Sequence, residues 1–314
     1  MPRIKQDRKP KKFSQKRTLS LALSGCAGRA ITYIGMLEVF EENGIKINSI
    51  SACSSASFVA CAYAAGNLAK MKQMYFTLTP KEIYSYLEPS FKGGLFNFDK
   101  AAGFIKEITG VENIEELEIP LTIVASDITR GESVELSMGN IFRAIKATCA
   151  VPGIFEPVIW GDRILVDGGI FSIVPVSAAK KFGHDVVVGI DLAASRAVIN
   201  RHLLRMKKGY NAVARPFKRM NSFAGKVKES IIGQRDRAYA IDKFKTPKMA
   251  TVLGRSMDYA ILEKEKPELL DCDLLIDPGV KKFGKIDSGN FETMYLEGRR
   301  SAEEYLHKIK KLLT

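Results

Sequence analysis

The sequence has few of the residues that build metal centres and disulfide frameworks. Only three histidines occur in 314 residues, and none lies at ligand spacing from another potential metal ligand. The five cysteines are an odd number and no two form a C-x-x-C pair, a pattern typical of a reducing compartment rather than of a disulfide-stabilised or zinc-binding protein. We therefore expect neither a metal ion nor a cofactor.

Long apolar runs are also scarce. Residues 47–69 are uncharged and long enough to span a membrane, but they contain two Asn and five Ser and break at Gly66, which argues against a span. The sequence Leu23-Ser24-Gly25-Cys26 is similar to a lipoprotein cleavage site, yet the preceding apolar run is about five residues, short of the roughly 7–15 of a signal core. We expect neither a membrane span nor an exported lipoprotein.

Acidic residues are outnumbered by basic ones, 35 against 48, for a net charge of +13. Residues 1–17 hold eight basic residues and one acid, and residues 192–250 hold fifteen and three. The excess predicts an anionic partner, either a lipid surface or a nucleic acid, and the alternative is a set of merely solvated basic faces. Since these segments lack a basic–aromatic stacking platform, no nucleic acid is expected. Residues 1–17 have no apolar periodicity, which predicts a disordered tail.

Apolar periodicity and turn residues predict strands that alternate with helices. The predicted strands are 18–23, 47–52, 120–126, 164–166, 185–192 and 272–276, and the predicted helices are 31–43, 55–65, 67–78, 140–149 and 292–313. The order strand–helix–strand–helix at the start is typical of a parallel sheet with helical crossovers. Residues 80–97 are rich in aromatics, which suit a lid, a pocket wall or ordinary packing. Residues 193–250 are expected to be an interrupted, basic helical segment.

Ser54 lies between a predicted strand and a predicted helix, with the small residues Ala52 and Ala56 on either side. A nucleophilic serine on a sharp strand-to-helix turn requires small neighbours, because larger ones collide with the strand and the helix. The usual pattern is G-x-S-x-G, and here both glycines are alanine. The alternative is a tight packing turn. Cys53 is expected to pack beneath the turn and not to act as the nucleophile.

Two further loops carry potential chemistry. Gly25-Cys26-Ala27-Gly28-Arg29 follows a strand and opens a helix, so its backbone N–H groups could hold a developing oxyanion, while its glycine spacing excludes a dinucleotide fingerprint. Asp167 ends a strand and is followed by Gly168 and Gly169, which places a carboxylate in an open turn. The alternative for each is an ordinary connection between elements.

Taken in order, these motifs resemble those of patatin-like phospholipases. In that family, an oxyanion motif G-G-G-x-[RK]-G precedes an I-G-V-L-E-like helix, and later motifs read T-D-L, A-S-x-A-x-P-G and D-G-G followed by P-V. The matching segments here are Leu21–Gly25 through Ile34–Glu38, Ser126–Ile128, Ala147–Gly153, Val166–Gly169 and Pro175–Val176. The resemblance covers residues 18–192, with a weaker continuation to about 310.

The resemblance implies a three-layer α/β fold, with a mainly parallel central sheet flanked by helices. One domain would cover residues 18–314: core motifs in 18–192, the basic helical segment in 193–250, and a C-terminal strand and helix in 270–313. It also implies a lipid acyl hydrolase of phospholipase A or lysophospholipase type, acting on a phospholipid or another acyl-ester lipid. Ser54 would be the nucleophile and Asp167 its base, through an acyl-enzyme and without histidine. Backbone N–H groups of Cys26 and Ala27 would hold the oxyanion, while Gly25 and Arg29 shape the loop.

The chain departs from the family pattern at several glycines. Cys26, Ala27 and Ala30 stand where the oxyanion motif has glycine. Because a Cβ makes positive φ costly, we expect this loop to be built with ordinary backbone angles. The alternative function is that of a catalytically impaired relative that binds lipid or a protein partner. Cleavage before Cys26 would remove the first strand, so the expected location is the cytoplasm, peripheral to the inner face of the membrane.

Overall fold

The apolar runs of the sequence form the strands of one central sheet and a small hairpin. The computed structural model describes residues 13–77, 79–90, 92–193, 268–284 and 287–314. Within these ranges the strands are β1 Leu19–Leu23, β2 Ser49–Cys53, β3 Glu88–Pro89, β4 Phe96–Asn97, β5 Leu121–Asp127, β6 Glu132–Leu136, β7 Val158–Trp160, β8 Arg163–Val166, β9 Val186–Ile190 and β10 Leu274–Ile276. The helices are α1 Ile31–Glu42, α2 Ala56–Ala64, α3 Leu68–Thr77, α4 Pro80–Ser85, α5 Ala102–Thr109, α6 Ile141–Thr148, α7 Val176–Lys180 and α8 Phe291–Leu312.

The central sheet is parallel on one side and antiparallel on the other. Its strand order is β10-β9-β1-β2-β5-β8-β7, with β6 paired to β5 outside this path. The pairs from β10 to β5 are all parallel, whereas β6, β8 and β7 join by antiparallel pairing. Strands β1, β2, β5 and β9 are fully buried, as expected where helices cover both faces of a sheet, and the edge strand β10 is partly buried.

Alternation along the strands separates the core into two layers. Leu19, Leu21 and Leu23 of β1 face the larger cluster, which is built with α1, α2, α3, α5, α6 and α8. Ala22 faces the opposite side, where it packs with α7 residues such as Val176. Since successive side chains of a strand point to opposite faces, the sheet is the middle layer of three.

The closest helix contact is between α1 and α8. A Cβ on Gly35 would lie 2.3 Å from the Tyr295 carbonyl oxygen, and one on Gly298 would lie 2.1 Å from that of Thr32. Only glycine permits such an approach of two backbones. The position of α1 is therefore set by its contact with α8, and the loop that precedes α1 is positioned with it.

The predicted α/β class and its mainly parallel sheet are confirmed. The predicted strands and helices are present to within a few residues, while β3, β4, β6, β7, α4, α5 and α7 were not predicted individually. No helix in the described residues is long and apolar enough to cross a membrane. The predicted basic segment 193–250 and residues 1–12 of the predicted tail lie outside the described residues, apart from Ala193. The prediction of a single domain over 18–314 therefore stays a prediction.

Candidate active site

Ser54 occupies a strained turn between β2 and α2. Its φ is +50°, in the left-handed region, which costs a non-glycine residue roughly 1–2 kcal/mol. Ala52 and Ala56 are both fully buried. Their small side chains allow β2 and α2 to approach each other closely at this turn. The Ser54 carbonyl accepts hydrogen bonds from the Ser57 N–H at 2.9 Å and the Ser57 hydroxyl at 2.6 Å. Cys53 is fully buried beneath the turn.

Two strands meet end to end along one edge of β5, next to this turn. β2 pairs in parallel with the first part of β5, where Cys53 lies opposite Val124. β8 pairs antiparallel with the last two residues of β5, where Val166 lies opposite Ser126. Because β6 occupies the other edge of β5 from Ile123 to Asp127, β2 and β8 share one edge and approach each other head-on. The residues that follow these two strands are thereby brought together.

These residues are Ser54 and Asp167. The Ser54 hydroxyl donates to Oδ2 of Asp167 at 2.7 Å. Oδ1 of the same carboxylate accepts the Gly169 N–H at 2.8 Å, and the Asp167 N–H donates to the Ala150 carbonyl at 2.9 Å. A carboxylate held by a backbone donor and bonded to a serine hydroxyl has the geometry of a general base.

Gly168 allows the turn after Asp167 to press against β5. A Cβ at this position would lie 2.1 Å from the Val124 carbonyl oxygen and 3.0 Å from Cys53 Sγ. No side chain fits there without displacing the strand. Position 168, the first of the two glycines that follow Asp167, must therefore be glycine for steric reasons.

The loop Gly25–Arg29 lies directly against the serine. A Cβ on Gly25 would come 2.4 Å from Cβ of Ser54, so only glycine fits. The Cys26 N–H donates to the Ser55 hydroxyl at 3.1 Å, and the Ala27 and Gly28 N–H groups have no acceptor among the described residues. Ser55 was not singled out from the sequence.

Ala27 corrects an expectation about this loop. Its φ is +49°, whereas the absence of glycine led us to expect ordinary backbone angles. The loop keeps the left-handed turn that its glycine-rich counterpart would adopt freely, and it does so with a Cβ that points into open surroundings, because Ala27 is exposed. An exposed Cβ avoids a clash with other residues, and the local cost of positive φ remains.

Arg29 is buried and supports the loop. Its guanidinium donates to the Phe283 carbonyl at 2.5 Å, the Leu192 carbonyl at 3.2 Å, the Lys281 carbonyl at 3.2 Å and the Cys26 sulfur at 3.3 Å. These bonds use the planar fork of donors that distinguishes arginine from lysine. They join the loop to the segment that precedes α8, and they leave the group turned into the protein.

Two residues at the end of α6 complete the site, and neither was assigned a role from the sequence. The Thr148 hydroxyl accepts the Ser54 N–H at 2.8 Å. Cys149 contacts the side chains of Ser54 and Ser57; burial and the nearby Asp167 charge raise the pKa of its thiol, which those contacts lower only in part. A neutral thiol beside the serine cannot compete as nucleophile. The only sequence signal for Thr148 was its place in the Ala147–Gly153 motif.

The described histidines lie elsewhere. His184 stacks on Phe182 ahead of β9, His307 is on α8, and His202 lies outside the described residues. Within the described ranges there is also no group of three or more His, Cys, Asp or Glu that could hold a metal ion. The chemistry available at this site is that of a serine, a carboxylate and backbone donors.

Comparison with known families gives one match that covers half of the chain. Residues 21–180 match the model of the patatin-like phospholipase family. This range contains the last three residues of β1, the Gly25–Arg29 loop, the Ser54 turn and the Asp167 turn, which are the parts that form the site.

Individual relatives agree with this match. An uncharacterised NTE family protein of Mycobacterium tuberculosis is 32% identical over 180 residues, which are 57% of this chain and 50% of the relative. A protein named lysophospholipase nte1 from Emericella nidulans is 22% identical over 94% of this chain and 18% of its own. Human patatin-like phospholipase domain-containing protein 6 is 24% identical over 88% and 19%. The chain thus spans about half the length of the mycobacterial relative and about a fifth of the other two.

Among solved structures, VipD from Legionella pneumophila aligns with 94% of this chain and 68% of its own, at 12% identity and a TM-score of 0.40.

Proposed function

Because the chain belongs to the patatin-like phospholipase family, we propose that it is a lipid acyl hydrolase with Ser54 as nucleophile and Asp167 as base. The observation that carries the proposal is the 2.7 Å hydrogen bond between the Ser54 hydroxyl and Oδ2 of Asp167. It joins two residues that are 113 positions apart in the chain. The strained turn at Ser54 adds support, since such strain concentrates at functional sites.

In this mechanism, Asp167 takes the proton of the Ser54 hydroxyl as Oγ attacks the ester carbonyl. The carbonyl oxygen gains the negative charge, and N–H groups of the 26–28 loop stabilise it. The tetrahedral intermediate collapses, the alcohol leaves with the proton held by Asp167, and the acyl group stays on Oγ. A water molecule then gives its proton to Asp167 and attacks the acyl-enzyme, which releases the fatty acid and restores both side chains.

We further propose an acyl-ester lipid, such as a phospholipid or lysophospholipid, as the substrate. One fungal relative is named a lysophospholipase, and the family model that matches the chain is that of patatin-like phospholipases. The net charge of +13 favours an anionic lipid surface as the place of action, with the protein cytoplasmic and peripheral to the membrane.

A second candidate is a catalytically impaired relative that binds lipid or a protein partner. The observation that favours it is the Cys26 N–H, which is engaged by the Ser55 hydroxyl at 3.1 Å. A donor already bonded within the protein stabilises an oxyanion only if that bond opens. The two candidates differ in whether Ser54 reacts with a serine-directed fluorophosphonate probe.

The test combines that probe with a hydrolysis screen on short-chain esters, lysophospholipids and phospholipids. We expect Ser54→Ala to lose labelling and to reduce hydrolysis to background, and Asp167→Asn to lower kcat by about 10²–10⁴-fold, the range of general base catalysis. The matched controls are Ser288→Ala, an exposed serine before α8, and Asp162→Asn, which breaks only a surface ion pair with Arg130. Hydrolysis that persists in Ser54→Ala contradicts the proposal, and an unlabelled, inactive wild type supports the impaired relative.

A further inference from the structure

We propose that Thr148 is a positioning residue for the nucleophile: its hydroxyl holds the backbone of Ser54 in the reactive conformation. The inference rests on the proposed function of Ser54, and it concerns a residue that touches neither the substrate nor the reacting oxygen.

The Thr148 hydroxyl bridges two backbone groups, one donor and one acceptor. Its oxygen accepts the Ser54 N–H at 2.8 Å, and its hydrogen is donated to the Val124 carbonyl. The direction of both bonds is fixed, because an N–H can only donate and a carbonyl can only accept. The side chain is fully buried, so water cannot replace either bond.

This bridge lies where the parallel pairing of β2 and β5 stops. The last paired residues are Cys53 and Val124, and Ser54 then turns away with φ +50°. A backbone N–H that leaves a sheet inside a protein needs another acceptor. Thr148 supplies it, and the strained turn persists because surrounding contacts hold it in place.

The same short segment also holds the base. Two residues after Thr148, the Ala150 carbonyl accepts the Asp167 N–H at 2.9 Å. Gly168 packs onto the same Val124 carbonyl that Thr148 bonds, since a Cβ there would be 2.1 Å away. Both members of the Ser54–Asp167 pair are therefore located relative to residues 148–150 and to Val124. A shift of the Ser54 backbone changes the distance between Oγ and Oδ2.

The experiment compares Thr148→Val with Thr148→Ser. Valine keeps the shape and removes the hydroxyl, while serine keeps the hydroxyl and removes the methyl. The matched control is Thr109→Val in α5, because the buried Thr109 hydroxyl also lies within hydrogen-bond distance of two backbone carbonyls, those of Ile105 at 3.0 Å and Val111 at 2.8 Å. All variants are compared with wild type in kcat and KM on a short-chain p-nitrophenyl ester, in the rate of fluorophosphonate labelling and in melting temperature.

We expect Thr148→Val to lower kcat and the labelling rate by about 10²-fold, the size of effect that a small misplacement of a reacting group produces, with KM within about twofold. Thr148→Ser should stay within about threefold of wild type. Thr109→Val should lower the melting temperature as much as Thr148→Val does, and leave kcat unchanged. If Thr148→Val does not fold, Thr148→Ala is compared with Thr148→Ser, because these two variants differ only by the hydroxyl group.

The inference is overturned if Thr148→Val keeps the wild-type kcat. It is also overturned if Thr148→Ser or Thr109→Val loses as much kcat as Thr148→Val does. Ser54→Ala separates this failure from failure of the proposed function. If Ser54→Ala is inactive while Thr148→Val is fully active, only the positioning role is lost. If Ser54→Ala is fully active, the proposed function itself is wrong.

Discussion

At the residue scale, the site is built from backbone angles that non-glycine residues rarely adopt. Among the described residues, Ser54 and Ala27 are the two non-glycine positions with positive φ, at +50° and +49°. Both belong to the proposed site, one to the nucleophile turn and one to the oxyanion loop. The Ser54 N–H donates to the Thr148 hydroxyl and the Ser54 carbonyl accepts from the Ser57 hydroxyl, so its strain is balanced locally. Ala27 is exposed and carries its strain with less support.

Replacing Ala27 by glycine should therefore stabilise the protein. The left-handed conformation costs alanine roughly 1–2 kcal/mol, and glycine adopts it without that cost but loses about 0.5–1 kcal/mol in backbone entropy. We expect the free energy of unfolding in urea to rise by about 0.5–1 kcal/mol, with kcat unchanged or higher.

Ala30→Gly is the matched control for that change. Ala30 also stands where the family motif has glycine, but its φ is −58° and it is fully buried. Glycine there relieves nothing, so we expect a loss of about 1 kcal/mol from helix propensity. If both substitutions change stability in the same direction, the strain assigned to Ala27 is absent.

At the scale of elements, close backbone contacts decide where the loops of the proposed site lie. The α1–α8 contact shows this, because α1 begins immediately after the oxyanion loop. Arg29 adds hydrogen bonds from that loop to residues 281 and 283, just ahead of α8. The C-terminal helix is therefore part of the support of a loop that lies more than 250 positions earlier.

Gly298→Ala should separate these two helices. The added Cβ would lie 2.1 Å from the Thr32 carbonyl oxygen, and a forced overlap in a packed interior costs about 1–3 kcal/mol. We expect the free energy of unfolding to fall by about 2 kcal/mol, measured by urea denaturation. The matched control is Gly103→Ala in α5, where a Cβ meets nothing within 4 Å, and which should gain about 0.5–1 kcal/mol. Equal effects of the two substitutions would show that helix propensity, not the close contact, governs both.

At the scale of the whole molecule, the distinguishing feature is the excess of positive charge. The ion pairs of the described residues lie largely on the surface, where each contributes little to stability. Residues 1–17 and 192–250 together carry more positive charge than the net +13 of the chain, so the remainder is net negative. Such clustered charge attracts anionic surfaces over about one Debye length.

We predict that the protein co-sediments with anionic vesicles and not with neutral ones, and that salt weakens this binding. Seven cations of the basic segment are to be neutralised together: Arg201, Arg205, Lys207, Lys208, Arg215, Lys218 and Arg219. Activity on vesicles should fall at least about tenfold, while activity on a soluble ester stays unchanged because Ser54 and Asp167 are untouched. Equal losses on both substrates would instead assign the segment to folding stability.

The sequence by itself determined the elements and the order of the motifs. Apolar periodicity placed β1, α1 and β2, because burial on both faces of a parallel sheet requires nearly continuous apolar strands. Small residues marked the Ser54 turn, since steric limits act between near neighbours in the chain. The glycines after Asp167 marked a second turn for the same reason. Each of these signals depends on residues within a few positions of one another.

The tertiary structure alone decided what those turns face. Nothing in the residues near Asp167 indicates that β8 pairs with the same edge of β5 as β2 does. The pairing of both strands with β5 brings the Asp167 carboxylate to 2.7 Å from the Ser54 hydroxyl. In the sequence, Thr148 is simply a polar residue at the end of a predicted helix. Its hydrogen bond with the Ser54 N–H joins residues 94 positions apart, so local sequence could not predict it. The positive φ of Ala27 was likewise decided by the fold, because tertiary contacts overrode the intrinsic preference of alanine. Such contacts depend on strand pairing across distant segments, which local periodicity does not encode.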